Sequence, residues 1–463
     1  MDFDWIILGA GPGGYEAAIR AAQLKQRVAL VEKAEIGGTC LNRGCVPTKA
    51  LLHAAMGMAE LDHLAGWGIR VKEADFDFDR MYERKEEIVA TLREGIARLI
   101  SQNGIALVKG AGVIRDAHTV SVGDRVLTGE RILIATGSAP ALPPIPGMDL
   151  TGVMTSDGLL EKPFAGSRLT IIGGGVIGVE FASLFQAFAH QVTVIEALDR
   201  LLPQMDREIS QNLAMIFKKR GAAVFTGARV LEIRKNGDGS LSTVYETGGK
   251  QGEALSDAVL VAVGRRAYTQ GLFAENFVLE TDRGRIVTGE DHQTSVPGVY
   301  AIGDVAGGIQ LAHAASAQGI ACVERAAGHT PPAREDLVPS CVYTNPEIAC
   351  VGITADEAKA ANIPVHTGKY ILSANCRTMI AGGERGFVKL VFHADTEALL
   401  GAQMVCERAT DMINEMTVAI ANGLTREQLL KAIRPHPTFA ESVTEAIDSV
   451  SGLAIHMAPA RGR

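Results

Sequence analysis

One design occurs twice in this chain: an apolar strand, a glycine-rich turn, a helical stretch and a second strand that ends on a glutamate. The strand Asp4-Trp5-Ile6-Ile7-Leu8 runs into Gly9-Ala10-Gly11-Pro12-Gly13-Gly14, and Arg27-Val28-Ala29-Leu30-Val31 then leads to Glu32. Later, Leu169-Thr170-Ile171-Ile172 runs into Gly173-Gly174-Gly175-Val176-Ile177-Gly178, and Gln191-Val192-Thr193-Val194-Ile195 leads to Glu196. In both copies the glutamate stands 23 positions after the first glycine. That order makes a βαβ unit, with parallel strands and a helix on one face of the sheet. Two such units imply an α/β protein with two Rossmann-like dinucleotide-binding domains.

A length of 463 residues exceeds one core, and about 150 residues per domain suggests roughly three. Ala139 to Met148 carries Pro140, Pro143, Pro144 and Pro146 and reads as a connector, and Thr330-Pro331-Pro332 marks another break. From about Leu337 the pattern changes to short strands, such as Phe387-Val388-Lys389-Leu390-Val391-Phe392, and amphipathic helices. The expected division is a first nucleotide domain over 1–146, completed by about 270–337, a second over 147–269, and an α+β domain over 338–463.

Composition narrows the function. With 53 acidic and 45 basic residues the net charge is −8, without the basic footprint that nucleic acid requires. No apolar run reaches about 18 residues, so no membrane span is expected. Acidic residues at positions 2 and 4 lead straight into a strand, unlike a signal peptide. Seven cysteines are too few and too unevenly spaced for a secreted disulfide scaffold. A reducing cytoplasm is the expected location.

In a GxGxxG turn the first glycine permits the bend, the second lets backbone approach a pyrophosphate, and the third lets helix and strand pack closely. Gly9, Gly11 and Gly14 fill these places in the first copy, and Gly173, Gly175 and Gly178 in the second. The following helix start offers free N–H groups and a positive dipole end. Glu32 and Glu196 stand where a carboxylate accepts hydrogen bonds from a ribose diol. A 2′-phosphate beside Glu196 would meet like charge. At 4 Å and an effective dielectric near 20 the repulsion is about 4 kcal/mol, roughly a thousandfold in affinity. NAD is therefore expected in the second lobe, rather than NADP.

Gly37-Gly38-Thr39-Cys40-Leu41-Asn42-Arg43-Gly44-Cys45-Val46-Pro47-Thr48-Lys49 carries two cysteines five apart. In a reducing compartment such a pair points to catalysis more than to structure. A regular helix would hold their Cα atoms about 8.7 Å apart, beyond the roughly 7 Å a disulfide spans. Either the turn is distorted, which Gly44 would help, or the two do not bond. A metal site lacks a second ligand pair nearby, and two inert core thiols are the bland alternative.

The stretch GGTCLNRGCVPTK, following the N-terminal glycine fingerprint, resembles the active-site disulfide of the class I pyridine nucleotide–disulfide oxidoreductases. Other segments resemble that family in order: Leu133-Ile134-Ala135-Thr136-Gly137, Gly298-Val299-Tyr300-Ala301-Ile302-Gly303-Asp304, and Pro435-His436-Pro437-Thr438 with Glu441. The resemblance implies FAD in the first domain, NAD in the second and dimerisation through the third. It implies that Cys40 exchanges with substrate thiols while Cys45 lies against the flavin. Lys49 would sit near the flavin and pair with Glu180, and Asp304 would bind the ribityl chain. Thr136, Gly137 and Gly264 belong to the implied cofactor-binding set. His436, oriented by Glu441, would act as base on the disulfide of the other subunit of a homodimer. Without the family context, a His-Pro pair in a loop reads as structural. His313, in a segment similar to one near the flavin, is assigned no catalytic role.

Within the family the chain is most similar to the branch that reoxidises dihydrolipoyl groups, so a lipoyl-bearing protein of a 2-oxoacid dehydrogenase or glycine-cleavage system is the implied partner. Val338-Pro339-Ser340-Cys341-Val342-Tyr343-Thr344-Asn345-Pro346-Glu347 and the closing Ala454-Ile455-His456-Met457 carry that likeness. Asp199 stands where NADP-reading relatives place arginine, and the tail lacks the cysteine pair of mercuric reductases. Asn345 departs from a histidine found in many relatives, and Cys341, Cys350 and Cys376 are additional thiols read as packing choices. An NADPH-driven disulfide or metal-ion reductase and a redox-idle flavin-binding subunit are the alternatives.

Overall fold

The computed structural model describes residues 1–383 and 385–458, the side chain of residue 62 excepted; the last five residues of the expected third domain lie outside it. The first sheet is built on parallel strands in the order Ala106–Lys109, Val28–Glu32, Phe3–Leu8 and Arg125–Ile134. Trp5, Ile6 and Ile7 are fully buried, as expected for strands covered on both faces by helices and loops. The ten-residue strand Arg125–Ile134 does two jobs. Its first half pairs antiparallel with Thr119–Val122, and its second half pairs in parallel with Val299–Ala301. That late strand delivers the turn holding Asp304 to the same sheet edge as the first glycine loop.

The second sheet is parallel throughout, ordered Ala223–Phe225, Gln191–Ile195, Arg168–Ile172, Ala258–Val261 and Val153–Thr155. A three-stranded antiparallel sheet, Ala228–Lys235, Leu241–Thr247 and Lys250–Ser256, covers one face through Val230, Ile233, Leu241 and Tyr245. The proline-rich stretch differs from a plain connector. Its leading residues Ser138–Pro140 pair antiparallel with Arg265–Ala267, so the outgoing and returning chains between the lobes form one ribbon. Pro140 lies at the strand end, where its missing N–H removes little pairing.

Five antiparallel strands make the third sheet, ordered Ser340–Val342, Ile348–Gly352, Leu399–Val405, Phe387–His393 and Val365–Ile371. The long helix Cys45–Leu64 buries Leu51, Leu52 and Ala55 in the same cluster as Phe181 and Phe185 of the helix Val176–Ala187. Val342 and Phe387 of the third sheet join that cluster. One apolar core thus locks the cysteine-bearing helix against both other sheets.

Candidate active site

The two glycine loops are superimposable in their constraints. Gly9 and Gly173 have φ of +100° and +111°, and a Cβ on either would lie 2.4 Å from a backbone carbonyl oxygen, of Ala135 or Ala262. A Cβ on Gly14 or Gly178 would lie 1.8 or 2.0 Å from the carbonyl oxygen of Gly9 or Gly173. The fold itself therefore demands the first and third glycines. It does not demand the middle ones. A Cβ on Gly175 meets nothing within 4 Å, and one on Gly11 meets only the Cα of Gly38 at 3.8 Å. Space kept open at the uncapped start of a helix is what a pyrophosphate needs, and Gly11 and Gly175 are the N-caps of 12-residue helices with no side-chain cap bond.

The glutamates also match. Glu32 accepts from the Ala10 and Ala34 N–H groups at 2.7 and 2.8 Å, and Glu196 from those of Gly174 and Leu198 at 2.5 and 2.7 Å. Each bond fixes one carboxylate oxygen, and a carboxylate has about four acceptor directions, so both retain capacity for a ribose diol. Arg200, the first arginine after Glu196, donates to the Pro203 carbonyl at 2.7 Å and lies 3.6 Å from Asp199.

Between Cys40 and Cys45 the helix is broken. One helix covers Gly38–Arg43, Gly44 stands at φ −146°, ψ −113°, and the next begins at Cys45. A Cβ on Gly44 would lie 2.9 Å from the Thr39 carbonyl oxygen and 3.3 Å from the Cys40 Cα. Glycine there lets the chain fold back, so the turn is distorted, while Cys40 and Cys45 are both free thiols. The two cysteines stand as thiols in a hydrogen bond with each other, Cys40 half-buried and Cys45 exposed. Asn42 holds the turn by donating to the Ile36 and Gly38 carbonyls at 3.0 and 2.9 Å, while Arg93 donates twice to its Oδ1 at 3.0 and 2.7 Å.

The pair divides its proton unequally. The hydrogen bond from Cys40 lowers the Cys45 thiol to about 7, partial desolvation of its sulfur opposes this although the residue as a whole is exposed, and the charge of Lys49 assists. Cys40 is pushed up, first by donating that bond, then by burial and by the charge of Cys45. Because the Cys45 value is depressed, its thiolate is present above about pH 7 and lost below it. The ultraviolet thiolate absorbance of the reduced protein, taken against Cys45→Ser, should titrate near that value. Lys49→Met should move the midpoint upward; a midpoint above pH 9, that of an ordinary thiol, would contradict the assignment of charge to Cys45.

Lys49 Nζ lies 2.9 and 2.8 Å from the two carboxylate oxygens of Glu180, which is buried in the second-lobe helix. Glu180 also accepts from the Tyr343 N–H at 3.0 Å, and the Lys49 ammonium stands 4.6 Å from the Tyr343 ring centroid. Tyr343 was not singled out by sequence: its role comes from a third-domain strand reaching a pair more than 160 residues away. Asp304 accepts a very short hydrogen bond from Ser138, and Ser138 accepts from Arg265 Nε at 2.7 Å. Thr136 Oγ1 donates to the Tyr268 carbonyl at 2.7 Å, while Gly137 and Gly264 have positive φ and open space at Cβ. His313 Nε2 contacts the Pro339 carbonyl at 2.8 Å.

His436 Nδ1 lies 2.8 Å from Glu441 Oε1, and Glu441 Oε2 accepts from the Thr438 N–H at 2.9 Å. The histidine side chain is 68% exposed, and it makes no hydrogen bond to either cysteine of its own chain among the described residues. In the same set no three His, Cys, Asp or Glu side chains converge as a metal cage, and no helix is long and apolar enough to cross a membrane.

Residues 3–319 match the family described as pyridine nucleotide-disulphide oxidoreductase, and residues 338–447 match its dimerisation domain. The chain belongs to the pyridine nucleotide-disulphide oxidoreductases. It is 40% identical to dihydrolipoyl dehydrogenase of Bacillus subtilis, over 98% of this chain and 99% of that one. Dihydrolipoyl dehydrogenase of Chlamydia pneumoniae is 38% identical, with 99% of each chain covered. Among solved structures, the HOCl-induced flavoprotein disulfide reductase RclA from Escherichia coli superposes with a TM-score of 0.86 at 30% identity, covering 96% of this chain and 99% of that one. As a member of the pyridine nucleotide-disulphide oxidoreductases, the chain has a family setting for its cysteine pair and its second glycine loop.

Proposed function

We propose that this protein is an NAD-dependent dihydrolipoyl dehydrogenase that works as a homodimer with FAD. The observation that carries the reading is the unequal dithiol, with Cys45 the more acidic thiol, between two glycine loops whose middle glycines the protein itself does not need. The near-full-length likeness to dihydrolipoyl dehydrogenases supports the substrate. The first loop, Glu32 and Asp304 would hold FAD, and the second loop with Glu196 would hold NAD. FAD held there would supply two-electron transfer between the dithiol and a nicotinamide held by the second loop. Lys49, fixed by Glu180, places a cation where it favours negative charge on both Cys45 and a reduced flavin.

His436 supplies the base, because a thiol must lose its proton before attacking a disulfide. Ile433, three residues before it, is 97% exposed, an apolar side chain that a second copy of the chain would cover. There His436 of one subunit would face Cys40 of the other.

The test is steady-state oxidation of free dihydrolipoamide with NAD+ and with NADP+. NAD+ should be favoured by roughly a thousandfold in kcat/KM, and Glu196→Ala should narrow that ratio. A preference for NADP+, or turnover of another disulfide or a metal ion without lipoamide activity, would replace this reading with that of a reductase.

A further inference from the structure

A second histidine–carboxylate pair stands one helical turn from the first. The helix Glu441–Ser449 begins with Glu441 and carries Glu445 four residues later, about 6 Å along the axis on the same face. After this helix the chain doubles back: Leu453 N–H bonds the Asp448 carbonyl at 3.0 Å, and His456 arrives beside Glu445. His456 Nδ1 lies 2.7 Å from Glu445 Oε1, and its backbone N–H donates to Oε2 at 3.1 Å. The arrangement repeats that of His436: one carboxylate oxygen on a backbone N–H, the other on Nδ1. Both imidazoles are 68% exposed, and neither Nε2 has a hydrogen bond among the described residues.

The reaction just proposed, on which this inference rests, gives a second histidine work to do. Dihydrolipoyl and NAD+ yield lipoyl, NADH and one proton. In the sulfur steps the first thiol gives its proton to His436 and its sulfur bonds to Cys40, expelling Cys45 as thiolate. The second thiol, deprotonated in turn, attacks the same substrate sulfur, closes the lipoyl disulfide and expels Cys40. Two electrons then reside on the cysteine pair. Of the two substrate protons, one ends on Cys40 and one must leave through the base. We propose that His456 is the proton station that relieves His436, passing that proton to solvent so that a neutral Nε2 meets the second thiol.

The surroundings fit an ion-handling site. Burial raises Glu441, but the Thr438 N–H, His436 and the charge of His456 together hold it below the usual carboxylate range. Beneath the helix, Tyr370 of the strand Val365–Ile371 is buried and raised to about 12, by burial and then by Glu445, Cys376 and Glu441. Asp448, with Arg426 in range, and Arg434, bonded to Thr444 at 2.9 Å and paired with Glu415, are the other charged groups of this face.

His456→Gln and Glu445→Gln are made in the dimeric holoenzyme, with bound flavin and dimer mass verifying assembly. Each should lower kcat for dihydrolipoamide by about tenfold below pH 7, with KM moved much less and the deficit narrowing as pH rises. Added imidazole should restore the loss. Proton release to an indicator dye during anaerobic reduction by dihydrolipoamide should slow by the same factor. A loss equal at every pH and untouched by imidazole would make His456 a tail anchor and overturn the proposal, as would a profile superimposable on wild type. If wild type does not oxidise dihydrolipoamide, the functional reading fails and this inference with it; an active wild type beside unaltered variants sinks the inference alone.

Discussion

Cys45→Ser should leave dihydrolipoamide oxidation about three orders of magnitude or more below wild type, because no other group can take its place as leaving thiolate and electron donor. The loss should be chemical rather than structural. The Cys40–Cys45 turn is held by Asn42, Arg93 and Thr48, the last donating to the Gly44 carbonyl at 2.7 Å, and none of these bonds uses a sulfur. Serine is isosteric apart from its smaller atom, so flavin binding and dimer mass should persist. Anaerobic dithionite titration adds a count: roughly four electrons per subunit for wild type against roughly two for the variant. A variant that still accepts four, or that turns over within tenfold of wild type, would remove the cysteine pair from the electron path.

His436→Gln should lower kcat/KM for dihydrolipoamide by about 10²- to 10⁴-fold, the usual worth of a positioned general base. Flavin reduction by NADH, which requires no thiol deprotonation, should proceed at nearly the wild-type rate. Co-expression decides which subunit the histidine serves. In a heterodimer of Cys45→Ser with His436→Gln, a site assembled across subunits contains either both lesions or neither. Two inactive proteins would then give a heterodimer with about half of wild-type activity. Were His436 to serve its own chain, each site would carry one lesion and the heterodimer would be dead. Tagged purification of the mixed dimer and a single assay distinguish the outcomes.

Much of this architecture is written in local pattern. The glycine triplets could be read because a βαβ turn forces a positive φ at Gly9 and Gly173 and contact packing at Gly14 and Gly178, constraints that act over a few residues. The cysteine stretch was legible for a similar reason, since its spacing and Gly44 are neighbours in the chain. Its bonding was not, because an intact helix and a broken one place the sulfurs differently. The pairing of Ser138–Pro140 with Arg265–Ala267 was hidden behind four prolines, which mark a connector without saying what it pairs with.

The chain order of residues thus determined two nucleotide loops, a reactive thiol pair and a histidine with a carboxylate five positions on. Only the folded molecule decided that Tyr343 closes over Lys49 and Glu180, and that His456 returns to Glu445. The physical reason is range. Turn and helix preferences are set by neighbours, whereas proton affinities and ion pairs depend on whichever distant segments the apolar core brings within a few ångströms.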